Sequence, residues 1–246
     1  MERALRVAGR EHVTIDIVFF DAGETLVHPH PSFPELFAEI ATEAGHNISS
    51  EDVAGVQSRL APHLIDLAED TGVSNPSLTP EDSRAFWTFL YKRFLEELGI
   101  ENDSVADSLY AKFSSVSSYA LFDDVQDALK SVASAGYRIG LISNFEGWLD
   151  EMLVELEVGD VFEVKVISGL VGIEKPDPAI YSLALEQAGV EASAAAHVGD
   201  SPGLDVEPAM SVGIRPILID RFDRYPDQDV TRVKSLTELP TVLEKL

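Results

Sequence analysis

Four short segments of this chain place carboxylate, hydroxyl, amide or ammonium side chains at or near the ends of predicted strands. In chain order they contain Asp21 with Thr25, Ser143-Asn144, Lys175, and Asp200 with Asp205. Open α/β sheets bind their ligands in the crevice outside the carboxyl ends of the strands, so these side chains could meet in one site. Together they could attack an electrophile, hold an anion and bind a hard cation.

Each segment has an ordinary structural interpretation when it is taken alone. Asp21 could be a turn residue after a strand, and Asn144 could cap the helix that follows it. Lys175 could be a solvated lysine, and Asp200 and Asp205 could be acids that a helix N-terminus favours. Their order and their shared position at strand ends favour a common site instead.

A nucleophile is the first role in such a site. Asp21 would form a covalent acyl intermediate, which divides one difficult displacement into two easier ones. Ser143 and nearby backbone N–H groups would hold a non-bridging phosphoryl oxygen. Lys175 would neutralise charge on Asp21 and on the transferring group.

A divalent cation is the second component. Asp21 and Asp200 could share Mg²⁺, a hard cation that prefers oxygen ligands, and the carbonyl of Gly23 could supply a third oxygen. Asp205 would orient metal-bound water rather than touch the metal. The residues therefore predict Mg²⁺ as the cofactor.

Strands and helices alternate in the predicted elements from residue 120 onward. Strands are predicted at 15–20, 137–142, 164–167, 194–198 and 214–219, and helices at 124–135, 146–157, 178–188, 203–211 and, interrupted by Pro240, 236–246. Helices of this length between strands imply parallel pairing with right-handed crossovers. The predicted fold class is therefore α/β, with a three-layer Rossmann-like core.

The segment between the first strand and residue 120 lacks strand character. Apolar residues recur every three or four positions over 33–44, 51–69, 80–98 and 104–114, as in amphipathic helices. We therefore predict an inserted α-helical cap domain at 32–119, and an α/β hydrolase core at 15–31 and 120–246. Residues 1–14 are predicted to be a flexible tail.

Composition restricts the function classes. The 246 residues carry a formal net charge of −25, which argues against a nucleic-acid-binding surface. No apolar run approaches the ~18 residues of a membrane span, so no membrane partner is expected. The absence of cysteine favours a cytoplasmic setting. The acidic balance leaves two interpretations open, an ordinary acidic enzyme and a protein from a salt-rich cytoplasm.

As a set, these motifs resemble those of the haloacid dehalogenase superfamily, whose members are mostly phosphatases of α/β fold. The residues that carry the resemblance are Asp21-Ala-Gly-Glu-Thr25, Ser143-Asn144, Lys175-Pro176 and Gly199-Asp200-x-x-x-x-Asp205. The resemblance implies a helical cap between the first and second motifs. It also implies a nucleophile at Asp21, phosphate binding by Ser143, Asn144 and Lys175, Mg²⁺ ligation by Asp21, Gly23 and Asp200, and supporting roles for Thr25 and Asp205.

One position departs from the family's pattern. Phosphatases of this family usually carry a second Asp two residues after the nucleophile, and this chain has Gly23 there. Glycine cannot transfer a proton, and general acid–base catalysis contributes typically ~10²–10⁴-fold. Glu24, His28 and His30 are the nearest residues that could replace the missing acid.

Several functions remain open at this stage. The favoured one is a Mg²⁺-dependent phosphatase of a small phosphorylated metabolite, working through an aspartyl-phosphate. A 2-haloacid dehalogenase needs no second Asp but works without metal, so the retained Asp200 and Asp205 count against it. A C–P hydrolase would need a cap lysine, for which Lys92 and Lys112 are available. A weakly active phosphate- or partner-binding protein is the fourth.

The cap sequence does not specify the substrate. Its aromatic residues could form the packing core of the helices or contact a ligand, and they are Phe86, Trp87, Phe89, Tyr91 and Phe94. A homodimer formed through the cap helices is also left open.

Overall fold

The computed structural model describes residues 14–60 and 70–246. The predicted tail at 1–14, apart from Thr14, and the end of the predicted helix at 51–69 lie outside these residues. The strands are β1 (Ile17–Phe20), β2 (Val27–Pro29), β3 (Tyr119–Leu121), β4 (Arg138–Ser143), β5 (Val164–Ile167), β6 (Ala195–Gly199), β7 (Arg215–Ile219) and β8 (Arg232–Val233). The α-helices are α1 (Phe33–Glu43), α2 (Ser50–Leu60), α3 (Pro80–Glu97), α4 (Asp103–Phe113), α5 (Val125–Ser134), α6 (Leu149–Glu155), α7 (Ser168–Val171), α8 (Pro178–Ala188), α9 (Glu207–Ser211) and α10 (Leu239–Leu243).

Six strands form one parallel sheet in the order β5-β4-β1-β6-β7-β8. Strand β1 lies near the middle, with β4 on one side and β6 on the other. The strand order reverses at β1, and such a switch point is where open α/β sheets bind ligands.

Helices cover both faces of the sheet. Successive side chains of a strand point to opposite faces, so Val18 and Phe20 pack with the buried residues of α5, α6 and α10. Ile17 and Phe19 pack on the other face with those of α8 and α9. The predicted three-layer α/β core is therefore confirmed.

The inserted helices α1 to α4 have a hydrophobic cluster of their own. All of its buried members lie between Leu36 and Phe113. Two of the helices begin with caps that the sequence predicts or permits: Thr79 accepts a hydrogen bond from the N–H of Asp82 with Pro80 in the first turn, and Ser32 accepts one from Glu35. Within the described residues, no helix is both long enough and apolar enough to cross a bilayer.

A short antiparallel pair of strands, β2 and β3, joins the insertion to the core, and the sequence analysis does not predict either strand. The sequence suggests a loop from Val27 onward, but Val27–Pro29 pairs with Tyr119–Leu121. Three-residue strands that contain Pro29 and His28 carry too little alternation to be recognised. Strand β8, with two residues, is missed for the same reason.

The short helix α7 was not predicted, and two further differences concern helix ends. The predicted helix at 203–211 begins as a π-helical turn, Pro202–Val206, and continues as α9. Pro240 lies in the first turn of α10, after a 3₁₀ turn at Leu236–Glu238. A proline there leaves no helical hydrogen bond unmade.

Candidate active site

Asp21 extends the central strand β1 by one residue. Its N–H donates to the carbonyl of Val198 at 2.8 Å, so the backbone follows β6 up to the carboxyl edge of the sheet. The side chain is buried, with 6% of the residue exposed. Two side chains from other segments reach its Oδ1: Ser143 Oγ, at the end of β4, donates at 3.0 Å, and Lys175 Nζ, beyond α7, donates at 2.7 Å. Neither bond uses Oδ2.

Lys175 is held in place at its backbone and at its ammonium group. The Asn144 side chain brackets the backbone, because its Nδ2 donates to the Lys175 carbonyl at 2.7 Å and its Oδ1 accepts from the Lys175 N–H at 2.6 Å. The ammonium group bonds both Asp21 and Asp205. Burial acts to lower the pKa of Lys175, but the two carboxylates outweigh it and raise that pKa. Asn144, which follows Ser143 in the chain, therefore holds the backbone of Lys175 in place.

Asp205 is fully engaged by hydrogen-bond donors. Its Oδ1 accepts from Lys175 Nζ at 2.6 Å and contacts His197 Nε2 at 3.0 Å, and its Oδ2 accepts from the Ser201 N–H at 3.0 Å. Burial raises its pKa, but Lys175 and His197 favour the ionised form and leave the pKa below its usual value. A carboxylate with three donors is suited to holding Lys175 rather than to binding a metal.

His197 is a site residue that the sequence analysis misses. It lies inside β6 and is fully buried, with Nε2 at Asp205 and Nδ1 without a partner. A tautomer with its proton on Nε2 fits this arrangement, because Nε2 then donates to Asp205 and the unpaired Nδ1 is an acceptor rather than a donor. The available signal was a histidine within the apolar run Ala195-Ala196-His197-Val198.

Three carboxylates meet at the carboxyl edge of the sheet. Asp21, Asp200 and Asp205 each offer an oxygen within 4.8 Å of the others. Burial, together with the neighbouring carboxylates, raises the pKa of Asp200 well above its usual value. Burial also raises the pKa of Asp21, against the opposing charge of Lys175. A cation placed there would relieve this repulsion.

The donor set fits a hard divalent cation. Asp21 Oδ2 accepts no hydrogen bond, and the turn that follows uses the carbonyls of Ala22 and Val27, leaving the carbonyl of Gly23 without a donor among the described residues. With Asp200, these groups offer three oxygens, as Mg²⁺ or Ca²⁺ would require. The hydroxyl of Thr25 lies nearby in the chain, buried and without a partner.

Space is available at Gly23 for a side chain. A Cβ built there would have no other heavy atom within 4 Å, and the backbone is not in the left-handed region. Among the described residues, no other side chain therefore occupies the position next to Gly23 where the family's second Asp would begin.

The three candidate replacements for that acid lie in different surroundings. Glu24 adopts a left-handed φ of 55° and lines a small cavity with Asp200, and burial raises its pKa. His28 directs Nδ1 to the carbonyl of Pro29 at 2.8 Å and packs on Phe122. His30 is exposed. Of the three, Glu24 alone shares a cavity with one of the clustered carboxylates.

The aromatic residues of the inserted helices mostly form packing contacts. Phe86, Tyr91 and Phe94 are buried in the cluster of the inserted helices, whereas 40% of Trp87 is exposed. Lys92 forms a surface ion pair with Asp103 at 2.9 Å. At three of the five aromatic positions, the structure therefore favours a role in helix packing over contact with a ligand.

Comparisons with known proteins show which family this chain resembles over most of its length. The family model of the haloacid dehalogenase-like hydrolases matches residues 15–213. The haloacid dehalogenase-like hydrolase domain-containing protein 3 of Danio rerio is 30% identical over 94% of this chain and 98% of its own length. The phosphoserine phosphatase of Thermus thermophilus is 32% identical over 61% of this chain and 62% of its own. The glyceraldehyde 3-phosphate phosphatase of Pyrococcus furiosus is 26% identical over 94% and 93%.

Solved structures show the same fold. The HAD-hydrolase YfnB of Bacillus subtilis superposes with a TM-score of 0.72 at 16% identity, covering 94% of this chain and 99% of its own. The 2-haloacid dehalogenase of Pseudomonas syringae does so with a TM-score of 0.60 at 26% identity, over 94% and 99%. With a family model that spans most of its length, this chain belongs to the haloacid dehalogenase-like hydrolases.

Proposed function

We propose that this hydrolase is a Mg²⁺-dependent phosphatase of a small phosphorylated metabolite in the cytoplasm, with Asp21 as its nucleophile. The observation that carries the proposal is the asymmetry of the Asp21 carboxylate. Ser143 and Lys175 place Oδ1 among the phosphate-binding donors, while Oδ2 accepts no hydrogen bond from the described residues and is left for Mg²⁺. Oδ1 would therefore be the oxygen that attacks, from a carboxylate whose orientation is fixed before the displacement.

The reaction would proceed in two steps. Asp21 attacks phosphorus, the bond from phosphorus to the leaving oxygen breaks, and an aspartyl-phosphate forms while the leaving oxygen takes a proton from solvent water. Water then attacks the phosphorus, which releases inorganic phosphate and restores the carboxylate. Lys175 and Ser143 would bind the phosphoryl oxygens in both steps, and Asn144 would keep Lys175 in position.

Asp21, the carbonyl of Gly23 and Asp200 are the residues that would hold Mg²⁺. When bound, the cation would neutralise charge on the phosphoryl oxygens. Asp205 would act at one remove, by holding Lys175. The acidic surface makes this local positive charge necessary, because a net charge of −25 repels phosphate esters at long range.

The inserted helices, residues 32–119, would serve as the cap over the site. Two serines of the insertion reach the segments that carry the phosphate-binding residues. Ser77 bonds Glu174, beside Lys175, and Ser83 donates to Glu146 at 2.6 Å, two residues after Asn144. Closure by such a cap would exclude water from the phosphoryl group.

A 2-haloacid dehalogenase is the second candidate. Halide departs without a proton, so Gly23 would be no handicap, and a solved relative of that name is 26% identical to this chain. The clustered carboxylates count against it, because a metal-free reaction has no use for Asp200 beside Asp21.

Hydrolysis of p-nitrophenyl phosphate, with Mg²⁺ and with EDTA, beside a chloride-release assay on chloroacetate, separates the two. The nitrophenolate leaving group needs little protonation, so the assay does not require the missing acid. Phosphate release that EDTA abolishes would support the phosphatase, and chloride release insensitive to EDTA would support the dehalogenase. Phosphoserine and glyceraldehyde 3-phosphate, the substrates named for two relatives, are the first metabolites to compare.

A further inference from the structure

A single residue of the inserted helical region contacts both segments that carry the phosphate-binding side chains. Ser77 precedes α3, and its N–H donates to Glu174 Oε2 at 3.0 Å while its hydroxyl donates to the same oxygen. The hydroxyl also lies 2.6 Å from Ser168 Oγ. Glu174 is buried, with 7% exposed, although it is a carboxylate next to the catalytic segment.

These contacts connect Ser77 to the candidate active site through two segments of the core. Glu174 is covalently adjacent to Lys175, whose backbone Asn144 holds from the other side. Ser168 accepts from the Phe145 N–H at 2.9 Å, two residues beyond Ser143, and its hydroxyl proton can be donated to Ser77 Oγ or to the Phe145 carbonyl, which lies at 3.0 Å. Donation to Ser77 completes the connection, because the Ser77 proton is already directed to Glu174. Ser77 therefore closes a ring of hydrogen bonds that includes the Lys175 segment and the Ser143 segment.

We propose that Ser77 and Glu174 are positioning residues, through which the docked insertion fixes Lys175 for catalysis. The role of Lys175 rests on the proposed phosphatase function; the docking contact itself does not. The Lys175 ammonium must reach Asp21 Oδ1 at 2.7 Å. Among the described residues, the backbone of Lys175 is anchored to the core through Asn144 and through its own chain neighbours. Release of Glu174 would loosen one of these neighbours.

The kinetic experiment compares Ser77→Ala and Glu174→Ala with Ser83→Ala. Ser83 is buried and donates a partly buried hydrogen bond of 2.6 Å from the insertion to Glu146, so its removal weakens docking at a contact that involves neither Glu174 nor Lys175. Because a catalytic group that is no longer held in its productive position loses rate, we expect kcat to fall about tenfold in the first two variants. The fall should be equal for p-nitrophenyl phosphate and for a metabolite substrate, with KM unchanged, and Ser83→Ala should stay within about twofold.

Glu174→Gln supplies the rescue, since its carbonyl oxygen can still accept from Ser77, and it should recover most of kcat. The proposal is overturned if Ser83→Ala lowers kcat as much as Ser77→Ala, or if the loss appears in KM and differs between substrates. Unchanged kcat in Glu174→Ala would overturn it as well. Ser77→Ala provides the same test if Glu174→Ala does not fold.

A distance measurement keeps this test separate from the proposed function. The chain contains no cysteine, so Ser108→Cys on α4 and Ser131→Cys on α5 can be spin-labelled without removing native thiols. Adding Glu174→Ala should broaden the distance distribution between the insertion and the core. A distribution that Glu174→Ala leaves unchanged would overturn the docking contact whether or not the enzyme hydrolyses phosphate esters. If the wild-type enzyme is inactive but the distribution broadens, the phosphatase proposal fails and the docking contact stands.

Discussion

The carboxyl edge of the sheet and the cluster of the inserted helices both contain many buried side chains, but these side chains are of different types. Asp21, Lys175 and Asp205 are buried charges at the sheet edge, each paired with another. Within described residues of the insertion, between 33 and 113, Ser83 is the only buried polar or charged side chain apart from tyrosine. Its hydroxyl bonds the core rather than its own cluster.

This contrast separates the sources of stability from the sources of chemistry. Buried ion pairs cost desolvation and contribute little net stability, so the sheet edge spends folding free energy on a reactive arrangement. The aromatic cluster of the insertion gains free energy by burial and packing, with Phe94 lying 5.3 Å from Phe33 and 5.7 Å from Phe37 between ring centroids. The predictions below test whether the two regions fail in different ways.

Asp21→Asn should give the largest effect, a loss of turnover of about 10⁴-fold or more, because the amide is a poor nucleophile. Lys175 would keep Asp205 as a partner, so the fold should persist. Steady-state hydrolysis with circular dichroism as a folding control checks this. Turnover equal to that of the wild type would remove Asp21 from the nucleophile's role.

Lys175→Met should damage stability and activity together. Removal of the ammonium leaves Asp21 and Asp205 buried without their shared partner, which costs about 3–5 kcal/mol in unfolding free energy. Urea denaturation followed by fluorescence measures the change. A loss below about 1 kcal/mol would mean that the sheet edge does not depend on the ion pairs.

Phe94→Ala should lower the free energy of unfolding by about 3–5 kcal/mol, since the ring is 3% exposed and its removal leaves a cavity. In the fraction that remains folded, kcat for an aryl phosphate should stay near that of the wild type, because the cluster carries no reacting group. Phe94→Leu is the milder control. A large fall in kcat without loss of stability would contradict the division between the regions.

Gly23→Asp should raise hydrolysis of alkyl phosphates about 10- to 100-fold by supplying a general acid. The space around the Gly23 Cβ position admits the side chain. Aryl phosphates with good leaving groups should gain less, so the ratio of alkyl to aryl turnover is the measurement. An unchanged ratio would indicate that proton transfer already has another source, or does not limit the rate.

The smallest effect concerns pH at the contact between the regions. Burial raises the pKa of Glu174 above 4.5, with the charge of Asp82 adding to the rise and the hydrogen bonds from Ser77 opposing it. The folded state then binds this proton more tightly than the unfolded chain, so the contribution to stability is greatest below pH 4.5 and falls as the pH rises through the raised value.

Glu174→Gln should remove that dependence. The difference in unfolding free energy between the variant and the wild type should shift in favour of the variant between pH 4.5 and pH 7. Denaturation at several pH values detects it. A difference that is constant with pH would show that Glu174 ionises in the folded protein as it does in the unfolded chain.

Local patterns were sufficient to predict the parallel core and the inserted helices. Strand β5 was predicted at 164–167 and α8 at 178–188, as the structure has them. Both are bounded by strong signals: helix α8 begins with Asp177 and Pro178 and ends at Gly189, which adopts a left-handed φ of 67°. The strand ends that carry Asp21, Ser143 and Asp200 followed from the same periodicity.

Contacts between distant segments could not be predicted in this way. His197 reads as one polar residue in an apolar strand, and only the fold shows that it faces Asp205. Ser77 lies in a polar loop 97 positions away from Glu174, and no spacing rule joins them. Strands β2 and β3 pair because the fold brings the two ends of the insertion together, not because their sequences favour a strand.

The pairing of β2 with β3 has a consequence for how the length of the insertion could change in related proteins. It brings Val27 opposite Leu121 and Pro29 opposite Tyr119, so the two ends of residues 30–118 lie side by side. From the core's side, this long insertion is a closed loop, and the entropy of closing such a loop grows only slowly with its length. Insertions of other sizes could therefore be joined at the same pair of strands, so the length of the insertion can change without a change in the register of the sheet.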